Sequence, residues 1–504
     1  MPAKKRASAC LPRNFPTVKL RPSDSDLHKS IYKMLRQLSH EESKLFTANV
    51  RTMKKRMTTG SACSGSEIAR VSNGIIMHFF GGRVDNKFSC EKAPNKQTFI
   101  REVVEAYVED GDGVCIFCDI GELGNASATC CKHQSDGCVA TAKQKVGKKC
   151  CVPCVFFMSA GFSCKNMSKL FSAKSQSNSL KVLNKSTCLQ DKAGSSGETL
   201  DGLLAYVRRH APDVLVLENV EDILKQGPNH DHLLTVLKEC GYAAATAEVI
   251  SRDYRSPQRR RRAYIIAYKV DPSEQFEDVL HAAQQAVALA ESLTLPPRAL
   301  EDVLLPKNSE YLKSELARRQ KTRQAMDAKD LSNEVEDWKE KNRKVLERDG
   351  ISCSACVVPA THRAGPWYQT LTPRQKMVLG HAFQCQPGVS SCDVYQTMGR
   401  EFISCDESTA PTLVPNSMLW LVKQRRLLTG HEALRVQCMP QSLIDLAVEK
   451  GTNDSCMADL SGNMFTATVY SAFAIAGITY APLSRRRGTE ASASVCVVAE
   501  LFDF

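Results

Sequence analysis

The chain has 504 residues, 67 Lys+Arg against 55 Asp+Glu, 43% hydrophobic and 24% charged residues. This length suggests two or three structural units, and the composition excludes a mostly disordered chain. No run approaches the roughly 18 consecutive apolar residues of a membrane span, so no membrane partner is expected.

The N-terminus, Met-Pro-Ala-Lys-Lys-Arg, has no apolar core of a secretory signal, so the 22 cysteines read as reduced thiols of a cytosolic or nuclear protein. Residues 1–60 hold 14 Lys+Arg and 4 Asp+Glu, which leaves only +2 of the net +12 for the rest. Residues 1–56 therefore read as a basic arm with one weak helix near 26–38. Lys4-Lys5-Arg6 and Lys54-Lys55-Arg56 suit phosphates or an import signal, although a solvated tail carries the same charge.

From Met57 strand-like runs alternate with amphipathic helices. Strands are expected at 87–90, 113–119, 152–162, 213–217, 242–250 and 263–268. Helices are expected at 96–108, around Leu200–Val207 and around Leu233–Leu237. Residues 121–150 and 165–197 read as loops. The pattern predicts an α/β fold with a mostly parallel sheet covered on both faces. After residue 271 the rhythm breaks. Residues 310–349 read as a solvated helical pair, 351–415 show no period, and periodicity returns with a strand at 417–422 and a helix at 465–476.

The candidate chemistry lies at strand ends. Thr59-Gly60-Ser61-Ala62-Cys63-Ser64-Gly65-Ser66 is a small-residue turn that lets a ligand approach the backbone. Glu91 follows the next strand, where a carboxylate can grip ribose hydroxyls, and Asp119 ends the third run, where one can hold an adenine amino group. Singly, each reads more readily as a cap or surface charge, but three at successive strand ends point to a ligand. Gly161-Phe162-Ser163-Cys164 follows a buried run, Leu217-Glu218-Asn219-Val220 another, and Ser256-Pro257-Gln258-Arg259-Arg260-Arg261-Arg262 leads into a third. A thiol, a carboxylate and an arginine pair can attack an electron-poor ring carbon, hold a ring nitrogen and neutralise a ring carbonyl.

These motifs resemble those of the cytosine-5 DNA methyltransferases. Leu217–Val220 matches the glutamate motif and Gln258-x-Arg260-x-Arg262 the Gln-x-Arg-x-Arg motif. Gly161–Cys164 with Ser168 resembles the nucleophile motif, with Ser163 where the family has Pro. Gly194–Leu200, Gly241-Tyr242, Arg426–Thr429 with Glu432, Met439-Pro440 and Gly462-Asn463 follow in the family's order. The first motif lacks the family's aromatic residue and most of its glycines.

The resemblance implies a Rossmann-like methyltransferase sheet with an inserted target-recognition region. The expected divisions are an arm (1–56), a catalytic core (57–270), the insertion (271–415), a segment completing the core (416–480) and a tail (481–504). It implies S-adenosyl-L-methionine near Ala62, Gly65, Glu91, Asp119, Ile120 and Asn463. It also implies a flipped cytosine in duplex DNA, attacked by Cys164, held at N3 by Glu218 and supported at its carbonyl by Arg260 beside Arg262, with Asn219 bracing the cysteine loop. A nuclear location follows from this reading.

Cys154 is the competing nucleophile, but it stands at the opposite end of the strand. An RNA (tRNA) cytosine-5 methyltransferase and a catalytically silent nucleic-acid-binding scaffold are the alternative functions. Cys115-x-x-Cys118 and Cys151-x-x-Cys154 read as buried thiols rather than a metal site, because Cys115 and Cys118 sit inside an apolar run. A small zinc site among the cysteines of 130–154 is the other option. The sequence does not address the oligomeric state.

Overall fold

A computed structural model describes residues 25–483 apart from 54–55, 64, 108–112, 135–146, 168–185, 193, 226, 328–331, 353, 355, 387, 399–403 and 406–407. Lys4-Lys5-Arg6, Lys54-Lys55, Ser64, Cys138, Ser168 and most of the expected tail lie outside these residues.

Nine strands form the main sheet: β1 (Arg56–Ala62), β2 (Arg83–Cys90), β3 (Cys115–Phe117), β4 (Ser127–Gln134), β5 (Gly147–Cys151), β6 (Phe157–Ala160), β7 (Val214–Val220), β8 (Tyr242–Ile250) and β9 (Arg261–Lys269). Their order is β5-β4-β3-β2-β1-β6-β7-β9-β8. Strands β3, β2, β1, β6 and β7 are parallel, and β9 runs antiparallel between β7 and β8. The chain steps outward from β1 to β3 and later returns to β1's other side as β6. The strand order therefore reverses between β1 and β6, and open α/β sheets bind ligands at such a switch point, beyond the carboxyl ends of the strands.

Alternation along the strands feeds two cores. Val214 and Val216 of β7 enter one, with Tyr264, Ile266 and Tyr268 of β9, while Leu215 and Leu217 enter the other, with Ala263, Ile265 and Ala267. The first face is covered by helices Ile68–His78, Phe276–Ser292 and Ala467–Thr479, the second by Gly194–His210 and Gly227–Glu239. Every residue of Ala467–Thr479 is buried. A helix that is apolar all round demands such cover.

A smaller antiparallel sheet, β11-β10-β12-β13, joins β10 (Ser391–Asp393), β11 (Ser404–Cys405), β12 (Leu419–Leu421) and β13 (Arg426–Leu427). It shares a separate core, including Leu312, Trp367, Val378 and Trp420, with helices of the 300–385 region. No helix among the described residues is long and apolar enough to cross a membrane.

Three expectations are corrected. Residues 25–53 are not an arm: helices Ser25–Leu35 and His40–Thr52 bury Leu27, Ile31, Met34, Phe46 and Val50 in the first core. Residues 121–150 are not simply a loop, because β4 and β5 extend the sheet as a hairpin. The insertion does not begin at 271. Helix Phe276–Ser292 buries Val279, Ala283, Ala286 and Ala290 under the main sheet, Leu293 and Leu295 still join that core, and β12 and β13 belong to the small sheet, so the separate lobe begins only after Leu295 and runs to about Leu428.

Asn49 ties helix His40–Thr52 to the end of helix Ala467–Thr479. Its buried Nδ2 donates to the carbonyls of Ile478, Thr479 and Ala481 at 2.9–3.1 Å. Asn49→Ala strands these carbonyls and should cost about 2–4 kcal/mol in denaturant unfolding. Deleting residues 1–53 uncovers the core and should abolish soluble expression.

Candidate active site

The strand ends at the switch point are held in step by backbone bonds. Gly161 N–H donates to Ala62 O, Cys63 N–H to Cys90 O and Glu91 N–H to Phe117 O, at 2.9–3.1 Å. One rim therefore carries Ala62, Glu91 and Asp119, with Cys164 just beyond β6. The β1 turn is tight: Cys63, Gly65 and Glu67 all have positive φ. At Gly65, φ is +71°, and a Cβ would stand 3.5 Å from Asn463 O. Glycine meets both demands without strain. Beneath the turn, buried Glu67 accepts from Ser61 Oγ and Arg70 Nε, and Arg70 also reaches Ser89 Oγ.

Glu91 accepts from the Ala93 N–H through Oε1. Asp119 caps the short helical turn Ile120–Glu122 by accepting from Gly121 N–H, and its other oxygen lies 3.6 Å from Lys92. Ile120 is buried beneath it. Asn463 donates its amide N–H groups to Asp459, while its backbone carbonyl and Cβ lie against Gly65. The field of the rim is negative: burial first, then Glu91 and Asp119, push the Cys63 thiol up to about 12, with Lys96 opposing.

Cys164 lies beyond β6, on a segment stitched to the start of helix Gly194–His210. Ser163 N–H donates to Thr199 Oγ1, Asn166 N–H to Ser196 Oγ, and Ser196 N–H back to Asn166 Oδ1. Asn219 Nδ2 donates to Phe162 O at 3.0 Å. Glu218 Oε1 stands 3.0 Å from Arg262 Nε and 3.7 Å from Arg260. Neither contact has hydrogen-bond alignment, and Oε1 is buried with no hydrogen-bond partner among the described residues. Oε1 is therefore ion-paired but makes no aligned hydrogen bond, which leaves it capacity for a further donor.

The two arginines differ. Arg260 uses its NH1 and NH2 groups on the carbonyls of Leu413, Gly462 and Met464 at 3.0–3.2 Å and stands only at the edge of Glu218's reach, 3.7 Å away. Burial and the neighbouring Arg262 lower it to about 10. Arg262 faces Glu218 instead, its NH1 resting on the carbonyl of Arg261. The i and i+2 spacing could not reveal this, because Arg260 precedes the strand and its direction is set by chain segments some 150–200 residues away. Cys154 is exposed, near His210 on the far side of β6 from Cys164. Missed by sequence reasoning was Tyr470, whose hydroxyl joins Ser159 of β6 at 2.6 Å to Asn73 at 3.2 Å.

The family model for C-5 cytosine-specific DNA methylase matches residues 185–476. The chain belongs to this family. Its sheet is the Rossmann-like one of the S-adenosylmethionine-dependent methyltransferases, with an antiparallel β9. A DNA (cytosine-5-)-methyltransferase, DMT5, of Cryptococcus neoformans is 24% identical over 459 residues, covering 85% of this chain and 17% of that protein. The type II methyltransferase M.Sau3AI of Staphylococcus aureus is 34% identical over 83 residues, 16% of this chain and 20% of that enzyme. The chain thus matches only about a fifth of the length of these relatives. The solved structure of S. pombe Dnmt2 aligns over 83% of this chain and 97% of its own at 13% identity and a TM-score of 0.39.

Burial raises the Cys164 thiol, Arg262 and then Arg260 pull it down, and Glu218 pushes it up. Alkylation of Cys164 by iodoacetamide should therefore have its inflection above the ordinary cysteine value of about 8.5. Arg262→Gln should shift it upward and Glu218→Gln downward, read by mass spectrometry across pH. A Cys164 that alkylates like the exposed Cys154 would contradict this burial.

Proposed function

We propose that the chain is an S-adenosyl-L-methionine-dependent DNA (cytosine-5) methyltransferase. The observation that carries this reading is the buried Glu218 carboxylate, ion-paired with Arg262 at 3.0 Å without an aligned hydrogen bond on Oε1, and close enough to Cys164 to raise its thiol. A carboxyl group with spare capacity suits the N3 and exocyclic amine of a cytosine, and a guanidinium beside it suits the ring carbonyl. We assign the carbonyl to Arg262. Arg260, engaged with three backbone carbonyls, is a positioning residue, which revises the role expected for it from the sequence.

The rim of β1–β3 fits the cationic methyl donor on two counts. Glu91 and Asp119 set a negative potential there, and Gly65 keeps the backbone open to a ligand. Glu91 would take the ribose, Asp119 and the backbone at Ile120 the adenine, and Ala62, Gly65 and Asn463 the methionine portion. Bound there, S-adenosylmethionine supplies an electrophilic methyl group on sulfur.

The protein's own residues do the rest. The Cys164 thiolate adds to C6 of the cytosine, Glu218 stabilises the protonated N3, and Arg262 stabilises charge on the carbonyl oxygen. Addition makes C5 nucleophilic. Loss of the C5 proton after alkylation re-forms the 5,6 double bond and expels the thiolate. Attack from above the ring and alkylation at C5 require a base flipped out of the stack. The lobe between Leu295 and Leu428 is read as the target-recognition region and Lys4-Lys5-Arg6 as a nuclear import signal. A fluorescent fusion lacking that cluster should stay cytoplasmic.

Incubation with methyl-labelled donor should label duplex DNA and not tRNA. The reverse would favour the RNA reading, and label in neither a silent scaffold. Cys164→Ser should abolish transfer while Cys154→Ser retains it. Arg262→Gln should lower kcat about 10²–10³-fold, the usual cost of losing one charge-stabilising donor. DNA with 5-fluorocytosine at the target should become covalently trapped only when donor is present, since fluorine cannot leave C5 as a cation. A folded Glu218→Gln variant that traps at the wild-type rate would remove Glu218 from the mechanism.

A further inference from the structure

Away from the candidate active site, at the outer edge of the sheet, four side chains from three strands converge. They are Cys115 of β3, Cys130 and His133 of β4 and Cys150 of β5, and their ligand atoms all lie within 4.8 Å of one another. The sulfurs of Cys115, Cys130 and Cys150 stand 3.6, 3.5 and 3.5 Å from the same atom, His133 Nδ1. Hydrogen bonding does not account for this. One imidazole nitrogen offers a single lone pair or a single proton, and three thiols cannot share it at equal range.

A common centre does account for it. With zinc–sulfur and zinc–nitrogen bonds of about 2.3 and 2.05 Å at the tetrahedral angle, sulfur and nitrogen are separated by about 3.6 Å. We propose that Cys115, Cys130, His133 and Cys150 form a structural zinc site of the Cys3His type.

Two further observations fit this set. The Ile116 N–H donates to Cys130 Sγ at 3.3 Å, the backbone-to-sulfur bond that stabilises a metal thiolate. Cys130-x-x-His133 also places two ligands on one short segment, a spacing usual for zinc. Three sulfurs and one nitrogen in closed tetrahedral array favour zinc over the hard cations. The expectation of core thiols is thereby revised. Strand alternation does send Cys115 and Cys118 to opposite faces, but the face of Cys115 is where the β4–β5 hairpin delivers its own ligands. Cys118 meets Cys131 on the other side.

The site would act on the donor rim through the chain that joins them. Asp119 lies four residues beyond Cys115, and Glu122 of the same turn is bound by Thr129 of β4 and Lys149 of β5. Zinc at the hairpin root would hold that turn in place without touching donor or substrate.

The full-length chain, expressed in zinc-supplemented medium and dialysed, should contain one zinc per chain by elemental analysis. Cobalt substitution should give thiolate-to-metal charge-transfer absorption in the near ultraviolet. Cys150→Ser and His133→Ala should each bring the metal content towards none, while Cys118→Ser keeps one zinc per chain. Thiol-directed mercurial titration of the wild-type protein should release the metal, an arm that does not depend on variants folding. A folded wild-type chain without zinc, a Cys150→Ser chain that retains full occupancy, or loss of metal in Cys118→Ser would each overturn the assignment. None of these readouts depends on methyl transfer.

Discussion

A buried guanidinium holds the two lobes in register. Removing a cation from water is costly unless it is fully paired. Arg260 NH1 and NH2 meet three carbonyls, from the strap between β11 and β12 (Leu413) and from the end of helix Asp454–Asn463 (Gly462 and Met464), and Glu218 lies 3.7 Å away. The surrounding geometry follows from that need. Residues 257–259 pair with 410–412 through Ala410 N–H to Pro257 O and Arg259 N–H to Ala410 O. Gln258 bonds Gln437, which in turn reaches Ser461 and Thr466. At Gly462 any Cβ would sit 2.2 Å from Pro415 N, so only glycine lets the strap close over the guanidinium. With Arg260 fixed, Arg262 two residues on is delivered to Glu218.

Long, strongly patterned elements were legible in the sequence. β8 begins and ends where expected, and β7 and β9 follow their apolar runs, because strands buried on both faces, such as Val-Leu-Val-Leu in β7 and Ala-Tyr-Ile-Ile-Ala-Tyr in β9, need no polar alternation. The strand-end positions of Glu218, Asn219 and Cys164 followed directly, since strand ends fix where side chains emerge.

What was hidden depended on partners distant in sequence. Helix His40–Thr52 looks like a polar arm until Phe46, Asn49 and Val50 meet a helix that arrives more than 400 residues later. The β4 segment, Ser-Ala-Thr-Cys-Cys-Lys-His-Gln, lacks the apolar alternation of a strand. Its order comes from pairing with β5 and from the convergence at His133, neither of which is local. Arg260 and Arg262 are indistinguishable as letters, and only the strap decides which one faces the crevice.

The complete burial of helix Ala467–Thr479 bears on how the protein is made. This helix fills the face of the sheet that β6, β7 and β9 present, and Asn49 fastens to its end. A ribosome adds about 5–20 residues per second, so roughly 20–90 s separate the synthesis of residue 52 from that of residue 479. During that interval the early strands exist without their cover, with Val71, Ile75 and Ile76 of helix Ile68–His78 lacking a partner. The nascent chain therefore carries an open apolar face until helix Ala467–Thr479 has emerged.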